Sequence, residues 1–302
     1  MDQVAGAQPN PVMPPFDPTL RSRLAKLALS SVYYAARELV RLTRRLMGSN
    51  PPAEVVAIYY HQVPREQRDR FARQMDHLLR WAMPIRADEI PQMKPGRRYV
   101  MVTADDGWLS FIENALPELE SRAIPVTIFA IPNYLGDSLG QPRDRLATEE
   151  ELKGIASDLV CVGSHTSTHA RLTTLDEDVA WSELEDSRSA LEDILNTRVT
   201  LFSFPFGAFN DALVNKCREV GYRRVFLALP PSTMSRPEFV IGRIRVDPTD
   251  WPLEFHLKLT GAYGWLPRAT GLKRRLRSLA RVSPRGSCGQ ARGCRATGDS
   301  RQ

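Results

Sequence analysis

The chain has 302 residues and a formal net charge of +6, with no internal repeat, which suits one barrel-sized α/β domain with extensions. The positive charge sits at the ends: residues 268–302 carry ten Lys/Arg against one acid and residues 1–50 seven against three, leaving residues 51–267 at −7. The high overall charge is therefore weak evidence for nucleic-acid binding by the central region, where no cationic stripe alternates with aromatics, and no specific nucleic-acid partner is expected.

Residues 1–19 are Pro-rich with few periodic apolar residues and are expected to be disordered. From Leu20 to Met47 the residues Leu24, Ala28, Val32, Ala35, Leu39, Leu42 and Leu46 recur at spacings of three and four, with Arg21, Arg23, Lys26, Arg37, Arg41, Arg44 and Arg45 between them. This predicts a basic amphipathic helix whose apolar stripe either packs on the following domain or lies on an anionic membrane surface. Asn50-Pro51-Pro52 ends it, so a first segment of residues 1–50 precedes a main domain of residues 51–266.

That main domain alternates short apolar runs with helical patterns. Strands are predicted at Val55–Tyr60, Tyr99–Ala104, Val126–Ile131, Leu159–Gly163, Val199–Phe204, Arg224–Leu229 and Val240–Val246. Helices are predicted at Arg68–Trp81, Phe111–Arg122, Glu149–Ser157, Asp178–Leu195 and Asp211–Val220, the fourth capped by Asp176 or Thr174 and the fifth ended by Gly221. A last helix is predicted near Leu253–Thr260, and residues 267–302, with the basic run Lys273-Arg274-Arg275-Leu276-Arg277, form an expected disordered tail. Strands that alternate with helices pair in parallel through right-handed crossovers. Seven of them, with chemistry-bearing residues gathered at their carboxyl ends, predict a closed or nearly closed β/α barrel.

Three of those strand ends carry the chemistry. Tyr99–Ala104 runs into Asp105-Asp106-Gly107; an Asp-Gly turn alone needs no function, but two adjacent acids at a buried strand end can serve a metal and a proton. Leu159–Gly163 leads into His165-Thr166-Ser167-Thr168-His169, whose imidazoles, four residues apart, would face one way on a single helical turn and suit a divalent ion. Val199–Phe204 leads into Pro205-Phe206-Gly207.

Together and in this order, the three motifs resemble those of the NodB-type polysaccharide deacetylases, metal-dependent carbohydrate esterases that remove N-acetyl groups from amino-sugar polymers. Thr103-Ala104-Asp105-Asp106-Gly107 is similar to that family's Thr-Phe-Asp-Asp-Gly, His165-Thr166-Ser167-Thr168-His169 to its His-Ser/Thr-x-x-His, and Phe204-Pro205-Phe206-Gly207 to its Tyr-Pro-Tyr-Gly. The resemblance covers about residues 54–262. It implies a distorted seven-stranded barrel, Asp105 as general base, and Asp106, His165 and His169 as ligands of a divalent metal. Zinc suits that donor set, with cobalt, iron and nickel as alternatives. Pro205, Phe206 and Gly207 would form a wall of the substrate groove, with the Phe206 backbone N–H donating to the oxyanion.

The sequence also departs from the family. Ala104 replaces the usual Phe, no Arg precedes Pro205-Phe206-Gly207, and no late Leu-x-His carries the catalytic acid. Arg243 and Arg245 alternate along a later strand, so one of them can replace the missing Arg. Asp247-Pro248-Thr249-Asp250-Trp251 only superficially matches the family's Asp-x-x-Asp-Trp, and Pro132 and Asn133 carry little weight as pocket residues. His256 lies in an apolar helical pattern and reads as packed. His61 ends the first strand, on the barrel face where Asp105 and His165 gather, and is the preferred general acid. The expected partner is an N-acetylated glycan. Two other readings use the same site: a catalytically silent glycan-binding relative, and a hydrolase of another amide.

Cys161, Cys217, Cys288 and Cys294 show no zinc-ribbon or disulfide spacing, and Cys161 reads as a small buried hydrophobe. With no signal-peptide pattern and no membrane-length apolar run, the expected location is cytoplasmic, at most peripheral to a membrane.

Overall fold

A computed structural model describes residues 19–229 and 238–266. The sequence expectations for residues 1–18 and for the tail from 267 onward lie outside the described residues.

Eight strands, all paired in parallel, form the centre: β1 (Glu54–Tyr60), β2 (Met83–Pro84), β3 (Arg98–Ala104), β4 (Val126–Ala130), β5 (Val160–Ser164), β6 (Leu201–Ser203), β7 (Arg224–Leu227) and β8 (Val240–Arg245). Seven of them close into a barrel, because β1 pairs with β3 on one side and β8 on the other. The remaining strand, β2, is the one that sequence patterning missed. It pairs Met83 and Pro84 with Tyr99 and Val100, while β4 takes over the same edge of β3 from Val102 onward. Two residues ending in proline carry no periodicity to detect.

The strands read as unbroken apolar runs because both faces are covered. On β1, Val55 and Ala57 point into the barrel beside Tyr99, Met101, Phe129, Leu201, Phe226 and Ile241. Val56, Ile58 and Tyr60 point outward against α2 (Arg68–Trp81), α4 (Leu116–Glu120) and α8 (Pro252–Leu259). On the other side α5 (Glu149–Gly154), α6 (Glu177–Leu195) and α7 (Asp211–Val220) pack on β5 to β7 through Leu152, Leu184, Leu191, Leu213 and Val225.

Helix boundaries follow local chemistry. The segment predicted as one helix over Phe111–Arg122 is two, α3 (Leu109–Asn114) and α4, because Pro117 has no N–H to continue the ladder. A capping box between Thr148 and Glu151 starts α5, which stops at Gly154 instead of Ser157. Asp176 occupies the N-cap of α6 without a side-chain cap bond, and Gly221, at φ +98°, ends α7 as predicted.

The N-terminal helix α1 (Leu20–Leu46) turns its less apolar face to the barrel. Ser30 and Arg41 are buried there, with Leu27, Tyr33 and Tyr34 against the core. Arg23 pairs with Glu254 at 2.6 Å, and Arg37 and Arg41 pair with Glu54 at 2.7 and 2.6 Å. The stripe that defined the helix in the sequence faces away: Leu24, Ala28, Val32, Ala35, Leu39, Leu42 and Leu46 are all exposed.

Candidate active site

The carboxyl ends of β1, β3, β5 and β6 bring the candidate residues to one end of the barrel. Asp105 and Asp106 follow β3 directly, and both are buried. Asp106 lies in the left-handed region at φ 70°, which swings its side chain away from that of Asp105, so the adjacent acids serve different partners.

Asp106, His165 and His169 each offer a ligand atom, all within 4.8 Å of one another. The Nε2 atoms of His165 and His169 each lie 3.5 Å from Asp106 Oδ1, which is buried and has no hydrogen-bond partner. The other oxygen, Oδ2, accepts from Trp108 Nε1–H at 2.9 Å. His165 Nδ1 lies 2.7 Å from the Ser203 carbonyl oxygen, which can only accept, so Nδ1 carries the proton and Nε2 presents a lone pair to Asp106. Burial, the largest influence, brings the His165 pKa down to about 4, so the ring is neutral at neutral pH. Electron-pair donors therefore converge with no proton between His165 and Asp106, which is the donor set a divalent cation requires. A carbonyl fixing the tautomer of a ligating His is the usual supporting arrangement.

The two histidines do not share a helical turn. Thr166 and His169 have φ of 67° and 54°, and the segment is an irregular loop between β5 and α6. Glu183 of α6 holds that loop, accepting from Thr168 N–H at 2.9 Å and from Thr168 Oγ1–H at 2.6 Å. Asn133 N–H donates to the Ser167 carbonyl at 3.2 Å, so the loop after β4 braces the histidine segment.

Asp105 is held by Arg243. Nη1 and Nη2 donate to its two carboxylate oxygens at 2.7 and 2.9 Å, and the same guanidinium donates to Thr103 Oγ1 at 2.9 Å and Ser203 Oγ at 2.6 Å. Arg243 is 1% exposed, with its guanidinium carbon 4.6 Å from the Tyr59 ring centre and 5.1 Å from that of Phe129. Of the two arginines weighed from the sequence, Arg243 reaches the site; Arg245 is exposed. Burial alone would raise the Asp105 pKa, but Arg243 outweighs it and the carboxyl comes down to about 2. The buried guanidinium therefore keeps Asp105 ionised at neutral pH.

The Nδ1 of His61 is buried without a partner, and its ring centre stands 5.5 Å from that of Tyr59. Burial lowers its pKa against the opposing pull of Asp106 and Asp105. Phe206, at φ 58°, leans on His169 with ring centres 4.7 Å apart, and its other neighbour is the Arg171 guanidinium at 4.4 Å. Gly207 follows at φ +62°, where a Cβ would stand 3.1 Å from that of Ala228. His256 is packed among Tyr34, His77 and Trp81, as its apolar context suggested. Cys161, read as buried from the sequence, is half-buried against the barrel interior, and desolvation pushes its thiol up to about 12.

Sequence reasoning missed Trp108, Ser203 and Glu183. Trp108, an indole two residues past an acid, offered a local signal. Ser203 and Glu183 act from other elements, and nothing in the local sequence links them to the site.

A closed parallel β/α barrel with an Asp-His-His cluster at the carboxyl ends of its strands defines the class. Residues 92–225 match the family model described as polysaccharide deacetylase, so this stretch of the chain is similar to that family. YxkH of Bacillus subtilis (strain 168) is 29% identical over 157 residues, 51% of this chain and 54% of that protein. The chitooligosaccharide deacetylase of Rhizobium leguminosarum bv. trifolii is 25% identical over 152 residues, 49% of this chain and 66% of that protein. The match to this chain thus spans little more than half the length of YxkH. The structure of IcaB from Ammonifex degensii shares the barrel fold, with a TM-score of 0.58 and 24% identity over 69% of this chain and 98% of that one.

Proposed function

We propose that the protein hydrolyses the N-acetyl groups of an amino-sugar polysaccharide or oligosaccharide. The observation that carries this reading is the juxtaposition of a cation-ready Asp106-His165-His169 cluster with a separately clamped carboxylate on Asp105. A structural metal site has no need of the second acid.

A divalent metal, when bound, would lower the pKa of water and polarise the amide carbonyl. Asp106, His165 and His169 would hold it, with zinc suited to that donor set and cobalt, iron or nickel also accepted. Asp105, an anion at neutral pH and fixed by Arg243, takes the proton of the attacking water. Being a weak base it does not store that proton but releases it through solvent to His61. His61 rests neutral, is charged only when it receives a proton, and gives that proton to the departing amine nitrogen. Pro205, Phe206 and Gly207 wall the acetyl group, and the Phe206 N–H donates to the oxyanion.

Mass spectrometry of acetylated glycans after incubation with metal-loaded protein tests the reading. Loss of acetyl mass, abolished by Asp105→Asn, is expected. Full metal occupancy with no acetate released from any N-acetylated glycan would favour a silent glycan-binding role.

The proposal includes a membrane surface as the place of action. It is supported by the outward stripe of α1, where Val32, Leu39 and Leu46 are 67%, 65% and 79% exposed, with exposed Arg21, Arg44 and Arg45 on the same helix. Arg23, Arg37 and Arg41 are occupied by the barrel, so fewer cations face a bilayer than the sequence count suggests. No helix among the described residues is long and apolar enough to cross a membrane, so α1 would lie in the interface plane. Co-sedimentation with phosphatidylglycerol vesicles is expected for the protein and not for its Leu24→Glu/Leu39→Glu/Leu46→Glu variant; equal sedimentation of the two removes the idea.

A further inference from the structure

Beside the barrel, between α2 and the loop from β8 to α8, lies a second concavity of about 580 Å³. One wall is the face of α2 carrying Arg70, Arg73, His77 and Arg80; the other is Pro248–Pro252 with Trp251. Residues 70, 73, 77 and 80 fall on one side of an α-helix, with successive rises of about 4.5, 6 and 4.5 Å. The three arginines are exposed, and among the described residues none makes a salt bridge or side-chain hydrogen bond.

The acids in the groove are committed elsewhere. Asp76 pairs with Arg122 at 2.7 Å, and Asp250 pairs with Lys258 at 2.7 Å. The groove therefore offers three guanidinium forks to a ligand while its carboxylates are already paired, and the His77 ring is engaged by His256, with Nε2 3.1 Å from His256 Nδ1. Trp251 is held in place by Arg23, whose guanidinium carbon stands 4.3 Å from the ring centre. The floor is rigid: Gln74 accepts from Tyr60 Oη–H at 2.7 Å and donates to the Asp247 carbonyl at 2.8 Å. Through Gln74 the groove is tied to Tyr60, the last residue of β1, which immediately precedes His61.

We propose that this groove is a binding site for a phosphate-ester oxyanion, with Arg70 and Arg73 gripping one phosphate and Arg80 holding the ligand further along. Guanidinium forks match tetrahedral oxyanions through paired N–H donors, where lysines would offer only point charges. Trp251 and the flanking prolines supply an apolar wall for the body that carries the phosphate. The ligand is a phosphate group borne by a saccharide or by a lipid headgroup. The inference goes beyond the deacetylase reading and stands without it.

The test uses inorganic pyrophosphate as probe, titrated calorimetrically at low salt into the full chain after chelator treatment, so that no divalent ion at Asp106 can hold the anion. Binding is expected for the unaltered protein, weakened at least about tenfold in Arg70→Gln/Arg73→Gln and further in the triple variant with Arg80→Gln. Arg21→Gln/Arg44→Gln, which alters the same number of exposed arginines on α1, is expected to leave it unchanged. Equal affinity in the groove variants, equal losses in the α1 control, or no binding by the unaltered protein would overturn the proposal. Vesicle co-sedimentation separates the two sources. In the Leu24→Glu/Leu39→Glu/Leu46→Glu background, where α1 does not hold the bilayer, residual phosphatidylglycerol binding that the groove substitutions abolish points to a lipid headgroup; pyrophosphate binding with no residual vesicle binding points to a phosphorylated saccharide. Deacetylation is not part of the readout, so failure of this proposal and failure of the deacetylase reading are separately visible.

Discussion

Replacing Arg243 by Met removes a guanidinium that makes four hydrogen bonds in a site where both partners of the ion pair are buried. Met retains much of the stem volume against Tyr59, Phe129 and Phe226, so little of the loss comes from a cavity. What remains is the uncompensated Asp105 carboxylate, and leaving one half of a buried pair costs about 3–5 kcal/mol. Against a total stability of roughly 5–15 kcal/mol the shift is large and easily read by urea denaturation. Adding Asp105→Asn removes the stranded charge, so the double variant is expected to recover a substantial part of the loss. Arg243→Lys, which keeps the charge but loses the fork, should fall between the two. Both Arg243 variants are expected to bind metal normally and to lose turnover, because Asp105 loses its orientation while Asp106 keeps its own partners. Destabilisation of Arg243→Met by less than about 1 kcal/mol, or additivity of the two changes within about 0.5 kcal/mol, would refute this account of the clamp.

Asp106→Ala, His165→Ala and His169→Ala should each lose bound metal by elemental analysis, whereas Asp105→Asn keeps the metal and loses turnover; equal metal loss in Asp105→Asn would reverse the two roles. Glu183→Gln should loosen the loop that presents His169, lowering metal affinity roughly 10–100-fold in a chelator competition while leaving the global unfolding midpoint within the range of a surface change. His61→Ala should keep fold and metal yet lose roughly 10²-fold or more in rate, and near-normal turnover would return the proton-donor role to another group or to solvent.

The barrel was readable because its strands are apolar on both faces and its helices are spaced between them, so seven strands and their order follow from runs and turn residues. The stripe of α1 shows the limit of the same reasoning. Leu24, Leu39 and Leu46 set the period that revealed the helix, yet it is anchored through Arg23, Arg37 and Arg41 to Glu254 and Glu54. Periodicity reports that a helix has two faces. Which face meets the barrel was decided by acids from other segments, and ion-pair partners leave no mark on local spacing. Arg243 stands midway: alternation along β8 made it one of two arginines able to reach the site, and only barrel closure, which brings β8 beside β1 and Thr103 within 2.9 Å, distinguishes it from Arg245.

The site's geometry was the least legible part, for a reason specific to its backbone. Among the described residues seven other than glycine have positive φ, and four of them, Asp106, Thr166, His169 and Phe206, belong to the motif segments at the barrel end. A β-branched Thr or a bulky Phe or His in that region costs on the order of 1–3 kcal/mol, and no propensity argument selects it. The His-x-x-x-His spacing suggested a helical turn because a turn is the unstrained way to align two such imidazoles. The protein takes the strained way, and the surroundings hold it there: Glu183 ties down Thr168, the Ser203 carbonyl fixes His165, and the Trp108 indole pins Asp106. Those hydrogen bonds hold a backbone that local propensity does not select, so the convergence of Asp106, His165 and His169 left no mark on the spacing of the residues.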